Sequence, residues 1–277
     1  MKKIVSLALA MLMFAFVLTG CAKAKDAAEA AVSDAVTAGE NADASTNDSA
    51  AQGDTQQSAP TGGKNDTASE FVSAYMEAKS TALTKLMDGL GNNPDTAMNA
   101  FGFLGLTMSD LYLLPALYFG LGEGSVQTAL AMMGAKDVTY NEQGNTYTIT
   151  YKNADDKMET MVGVYDKGRS LLATGSTDGV ENNYFEAYRT SFGYVSQFYF
   201  ISEEGVGTVY QIAISGQDGI FSIASDASRP AALTGNEGAD FPKAAKEWYA
   251  ITGSTITGMT ADGKSVSFEY VPSENAG

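Results

Sequence analysis

The 277-residue sequence contains no histidine and a single cysteine, Cys21. A fold built from it has no disulfide, no thiolate zinc site and no His-dependent triad or metal cluster. Basic residues are scarce as well: 17 Lys and Arg face 33 Asp and Glu, for a net charge of −16. Such a field opposes nucleic acid and anionic headgroups, so a partner is neutral or cationic unless the acidity serves solubility alone. Stability must then come from a hydrophobic core, which the region beyond residue 67 is long enough to build. A further deficit is local. Ala22 to Asp66 carries no aromatic residue, and Val32 and Val36 are its only large aliphatics.

What precedes that stretch is the opposite in character. Lys2 and Lys3 open the chain, Ile4 to Val17 form an apolar run, and Leu18-Thr19-Gly20-Cys21 closes it. This resembles the lipobox of bacterial lipoproteins. The resemblance implies a signal peptide over 1–20, cleavage before Cys21, and a diacylglyceryl thioether on Cys21, often with a further acyl group such as palmitate. It places the chain at the cell membrane, lipid-anchored and facing the extracytoplasmic side. Loss of Lys2 and Lys3 takes the net charge from −16 to −18. The alternatives are weaker: no better Ala-x-Ala site lies near residue 20, and the seventeen residues Ile4 to Gly20 are short of the ~20 that span a bilayer. Two acyl chains suffice for stable attachment.

Residues 21–66 then read as a lipid-anchored, disordered tether, because they cannot bury enough apolar surface to offset the entropy of ordering. As a flexible coil this tether spans roughly 35 to 40 Å.

A single α+β domain is expected over 67–277, helical from 67 to 135 and β-rich from 136 to 272. Thr67-Ala-Ser-Glu70 has the capping-box pattern, and Phe71, Tyr75, Ala78, Ala82, Leu86 and Leu90 follow at helical spacing. Gly89, Gly91 and Asn92-Asn93-Pro94 end that helix. The apolar stretch Met98 to Leu121, broken by Thr107, Ser109, Asp110 and Pro115, admits three readings: buried helices of the domain, a segment that touches the membrane or covers an apolar pocket, or a true span. An unpaired Asp near the centre of a span costs ~3 kcal/mol. Ser125 to Ala135 reads as one more short helix.

From Lys136 onward the period is two. Strands are expected through Val138 and Tyr140, Tyr147 to Tyr151, Glu159 to Tyr165, Ser170 to Ser176, Tyr184 to Thr190, Gly193 to Ile201, Thr208 to Ser215, Ile220 to Ala224, Ser254 to Thr257 and Ser265 to Val271. Turn-forming Gly, Asp and Asn residues separate them. Strands joined by short turns predict a large curved antiparallel meander rather than βαβ units. Only Phe241 to Ile251, with Asp240 as cap and Phe241, Ala245 and Trp248 on one face, reads as a short late helix.

Catalytic motifs are absent or fail on context. Gly258-Met-Thr-Ala-Asp-Gly263-Lys264-Ser265 matches the P-loop pattern, but Val266, Phe268 and Tyr270 continue as a strand where a helix is required. Glu186 reads as lying on a solvent face and Glu203-Glu204 as a hairpin turn; paired carboxylates in a cleft are the enzymatic alternative. Asp155-Asp156, Asp218 and Asp226 do not have EF-hand spacing and read as acidic turns. No cofactor or metal is implied.

One cluster is a candidate ligand or partner surface: Tyr184, Phe185, Tyr188, Phe192, Tyr194, Phe198, Tyr199 and Phe200. As strands these residues put aromatics on both faces, so they are either core or an exposed apolar patch. The expected function is non-enzymatic: a lipid-anchored protein that binds a partner protein, a cell-wall polymer or an apolar ligand, with membrane contact through Cys21 and no nucleic acid. An accessory subunit of a membrane complex and a carboxylate-based surface hydrolase are the alternatives. The expected architecture, a helix in the concave face of an antiparallel sheet, is similar to the half-barrels of periplasmic lipoprotein carriers, a likeness of architecture without a shared motif.

Overall fold

The computed structural model describes residues 67–202 and 204–272. The expected lipobox with Cys21, the expected tether over 21–66 and Glu203 lie outside the described residues. The first element, α1 (Ala68–Asn92), starts where the capping box places it. The Thr67 hydroxyl accepts from the Glu70 amide at 3.2 Å, and Glu70 Oε2 accepts from the Thr67 amide at 2.7 Å. At ~1.5 Å per residue α1 is about 37 Å long. Its apolar stripe, Phe71, Val72, Tyr75, Ala82, Leu83, Leu86 and Leu90, is fully buried.

A broken helical layer follows: α2 (Ala97–Ala100), a 3-10 turn at Phe101–Phe103, α3 (Leu104–Leu113), a second 3-10 turn at Leu114–Tyr118 that contains Pro115, and α4 (Glu123–Met132). The Met98 to Leu121 segment is therefore helical, with some side chains in the core and others outside it. Phe103, Leu106, Leu113, Ala116 and Phe119 are buried, while Met98, Phe101, Met108, Leu111, Tyr112 and Leu121 are exposed.

Eleven strands complete the domain: β1 (Lys136–Gln143), β2 (Thr146–Lys152), β3 (Met158–Asp166), β4 (Ser170–Thr177), β5 (Val180–Arg189), β6 (Tyr194–Ile201), β7 (Gly207–Ser215), β8 (Asp218–Ser225), β9 (Glu247–Thr252), β10 (Thr255–Met259) and β11 (Ser265–Glu269). They form one antiparallel sheet in strict sequence order, β1 to β11, the meander expected from the turns. The P-loop look-alike is the β10–β11 hairpin, with Met259 paired to Ser265 and Gly263 at φ +83°.

The late helix is shorter than its spacing suggests. Only Phe241–Ala244 turns, as a 3-10 helix, and Glu247–Thr252 is strand β9, paired to β8 on one side and β10 on the other. Two ladders satisfy the backbone of β9, whereas an eleven-residue helix is marginal on its own. Tyr249 and Ile251, both fully buried, show the period of two that overrides Phe241, Ala245 and Trp248.

The helix α1 crosses the front face of the sheet from the side of β3 and β6 toward β10. Near its start Phe71 meets Tyr165 of β3 and Tyr194 of β6, and Tyr75 meets Phe185 of β5. Near its end, a Cβ on Gly89 would collide with Ile256 of β10 and touch Tyr270. The Tyr75 hydroxyl and Ser196 Oγ share a 2.7 Å hydrogen bond in the middle of this interface. The back face is covered in part by the irregular connection 226–240 between β8 and the 3-10 turn.

Burial pushes the Tyr210 and Tyr249 phenols up to about 12, and Tyr75 higher still. The folded state thus holds these protons above the pH at which the unfolded chain, near 10, has released them. Stability is full below pH 10 and falls as pH rises through the window from about 10 to 12. Absorbance at 295 nm during alkaline titration should show these tyrosines ionising together with the loss of near-ultraviolet circular dichroism. Independent ionisation near pH 10 in the folded state would contradict their burial.

Candidate functional site

A cleft of about 750 Å³ opens on the front face beside the helical layer. Its apolar wall is the second half of α3 with Met108, Leu111 and Tyr112, continued by Pro115. The facing wall comes from the ends of β2 to β5, with Asn153, Glu159, Thr177, Asn182 and Asn183.

The position of α3 is set by a buried ion pair. The Lys79 ammonium, on α1 and 1% exposed, donates to the Leu106 carbonyl at 3.2 Å, to Ser109 Oγ at 3.3 Å and to the Asp110 carboxylate. Three donors meet three acceptors, so the charge is enclosed without a deficit. Burial pushes the Lys79 ammonium below and the Asp110 carboxyl above their ordinary ranges, and each partly holds the other back. Two further contacts fix the layer. The Tyr210 hydroxyl donates to the Gly102 carbonyl at 2.9 Å, and Gly105 leaves room for it: a Cβ there would lie 2.4 Å from that hydroxyl. Tyr112 rests on Phe198 and Phe200, with centroids 6.0 and 6.3 Å away.

The polar wall is a directed relay. Asn153 Oδ1 accepts from the amides of Asp155 and Lys157, and its Nδ2 donates to Glu159 Oε1 at 2.8 Å. Glu159 Oε2 accepts from the Thr177 hydroxyl at 2.8 Å, that hydroxyl accepts from Asn182 Nδ2 at 2.7 Å, and Asn182 Oδ1 accepts from Asn183 Nδ2 at 2.8 Å. The chain stops at Asn183 Oδ1, which is buried and without a partner. Gly175 makes the arrangement possible, since a Cβ there would lie 2.2 Å from Asn183 Nδ2.

The aromatic residues singled out from the sequence are divided between the two faces. Phe185, Tyr194 and Phe198 are buried on the front against α1 and the helical layer, and Phe200 is half-buried there beneath Tyr112. Tyr184 and Tyr199 are buried on the back with Val209; Tyr188 and the half-buried Phe192 pack with Val195, Ala213 and Leu233. None of the eight lines the cleft, and only Phe198 and Phe200 support its wall.

Glu186 is not on a solvent face. It is 1% exposed, and its Oε1 accepts from the Leu233 amide at 2.7 Å and from Gln197 Nε2, which also donates to the Ala231 carbonyl at 2.7 Å. The connection 226–240 therefore closes over Glu186, and Arg229 fastens it with two bonds to Glu181, at 2.7 and 3.0 Å, and a stack 3.8 Å over Tyr184. Glu186 is an anchor for this strap, with no opening through which a substrate reaches it. Glu204 is exposed in the β6–β7 turn. Asp156 pairs with Lys136 at 2.9 Å, and Asp218 lies 3.9 Å from Lys85. Among the described residues, no three His, Cys, Asp or Glu side chains are grouped as metal ligands.

Sequence reasoning missed Asn182, Asn183, Thr177 and Glu159. The available signal was Asn182-Asn183 inside an otherwise aromatic strand, where an amide on the core-facing parity needs a partner. No protein-family model, curated protein or solved structure matches the chain.

Asp110→Asn leaves the Lys79 charge buried without its counter-ion and should destabilise the domain by about 3–5 kcal/mol. The double change Lys79→Met with Asp110→Leu should recover most of that loss. Urea denaturation of the parent chain and the two variants decides the matter; equal losses in the single and double variants would mean that the pair does not hold α3.

Proposed function

We propose that this chain is a lipid-anchored extracytoplasmic binding protein without catalytic activity, and that its ligand occupies the cleft between α3 and the ends of β2 to β5. The observation that carries the reading is the pairing of one apolar wall, Met108, Leu111, Tyr112 and Pro115, with one amide-rich wall in a space of about 750 Å³. Ligand sites are typically of this size, mostly apolar with a few convergent polar groups. The carboxylate once open to a catalytic reading, Glu186, is enclosed under the strap, and Glu159 has both oxygens occupied by Asn153 and Thr177. The lipobox ending in Cys21 supports the anchor and the extracytoplasmic location.

A second reading draws on a different observation. Met98, Phe101, Met108 and Leu111 follow helical spacing and are 77%, 62%, 44% and 61% exposed, an apolar stripe on the helical layer. Residues Ala97–Tyr118 have the length and mean hydropathy of a membrane span, but only a third of their most apolar window is buried in the domain. Such a stripe favours contact with an apolar neighbour, as in an accessory subunit of a membrane complex.

Native mass spectrometry with organic extraction, applied to the full-length protein from membranes, separates these readings. A bound small molecule that is lost in Leu111→Ser is expected. A ligand-free chain that instead retains a protein neighbour, released by Phe101→Ser, would replace the binding-protein reading with the subunit reading. Mass spectrometry of the membrane fraction should show the acyl mass on Cys21, lost in the Cys21→Ala chain.

A further inference from the structure

The polarity of the relay on the cleft's amide wall carries information about what binds there, on the reading that the cleft is the ligand site. A carboxylate only accepts hydrogen bonds. With Glu159 at one end, the Thr177 hydroxyl must donate to it and so accepts from Asn182, whose amide nitrogen is thereby committed. Asn182 Oδ1 then faces Asn183, whose Nδ2 is committed in turn. Every amide in the chain is oriented by the carboxylate, and the group left over at the far end is an oxygen. Asn183 is 5% exposed, lines the cleft, and its Oδ1 has no donor. An unpartnered buried acceptor costs free energy that a donor from a ligand restores.

The charges around it select further. Asp155, Glu159 and Glu181 line the cleft against one ammonium, Lys157. Glu181 is paired with Arg229, but the partners of Glu159, Asn153 and Thr177, are both neutral donors. An anionic ligand would meet this carboxylate and the lone pair of Asn183; a cationic one meets attraction from both.

We propose that the cleft takes an organic amine: an ammonium group hydrogen-bonded to Asn183 Oδ1 in the field of Glu159, with its apolar body against Leu111, Tyr112 and Pro115. The recognition reads charge and donor at one end and apolar surface at the other.

Titration calorimetry on residues 22–277, which contain every described residue, tests this with octylamine, octanol and octanoate at pH 7. Octylamine should bind at least tenfold more tightly than octanoate, with octanol between them. Asn183→Leu should abolish that preference. Glu159→Gln, which keeps the shape but removes the charge and lets the relay reverse, should narrow it at least threefold, and it decides the case if Asn183→Leu does not fold. Octanoate binding as tightly as octylamine, or a preference unchanged in Glu159→Gln, overturns the amine. If all three compounds bind alike and Leu111→Ser weakens all three, the cleft remains a ligand site and the amine inference falls. If none binds, both fall.

Discussion

One constraint governs this fold. An open sheet of eleven strands in sequence order has an apolar front face that no second sheet covers, and the single 25-residue helix α1 must shield it. At about 4.8 Å between strands the sheet is roughly 48 Å across, against about 37 Å for the helix. A helix laid parallel to the strands would meet only a few of them. Its path across them, from Tyr165 and Tyr194 near its N-terminus to Ile256 and Tyr270 near its C-terminus, lets one helix serve most of the strands. The remaining front surface falls to the short helical layer, which explains why residues 97–132 are apolar yet broken: they fill gaps at several angles rather than forming one continuous rod.

The strand pairing was legible because each hairpin is local. Tyr147, Ile149 and Tyr151 alternate with threonines, and Asp166-Lys-Gly168 or Asp178-Gly179 supplies the turn, so ten of the strands follow from the period and the breaks. The eleventh, β9, was hidden because Phe241, Ala245 and Trp248 also match a helix, and only pairing with β8 and β10 decides between the two. The cleft was illegible for a different reason. Its relay joins Asn153, Glu159, Thr177, Asn182 and Asn183, five polar residues from three strands and a turn, and no local pattern states that their side chains meet. Glu186 failed in the same way: its partner Leu233 lies more than 40 residues along the chain, and a strap without periodicity gives no sign that it will fold back over a carboxylate.

The two faces handle buried polarity by a common rule. On the front, Lys79 finds three acceptors on the helical layer; on the back, Glu186 finds the Leu233 amide and Gln197 on the strap and the neighbouring strand. In each case a charged group binds a backbone atom of the segment packed over it, the Leu106 carbonyl in the first turn of α3 on the front and the Leu233 amide of the strap on the back. A charged hydrogen bond is stronger than a neutral one and is directional, so each such contact fixes the segment that covers it. The apolar contacts alone would leave the layer and the strap free to slide, because dispersion and burial are not directional.

Small residues on β3 and β4 explain why the cleft lies where it does. Gly163 and Gly175 both face the front, one register step from each other across Met161 and Ala173. At Gly163 the space is taken by Phe119, whose ring would be 2.2 Å from a Cβ there and which stacks on Tyr147. At Gly175 the side chain of Asn183 lies in the space instead, and it is too short to reach the helical layer. Tyr112, held up on Phe198 and Phe200, stands away from the sheet at that level. One glycine site is thus sealed by an aromatic ring from the layer, and the other is floored by an amide with the layer propped above it. The depth of the cleft follows from that difference: a large side chain at position 175 or 183 would fill it from below, and loss of the Phe198–Phe200 support would let α3 settle and close it from above.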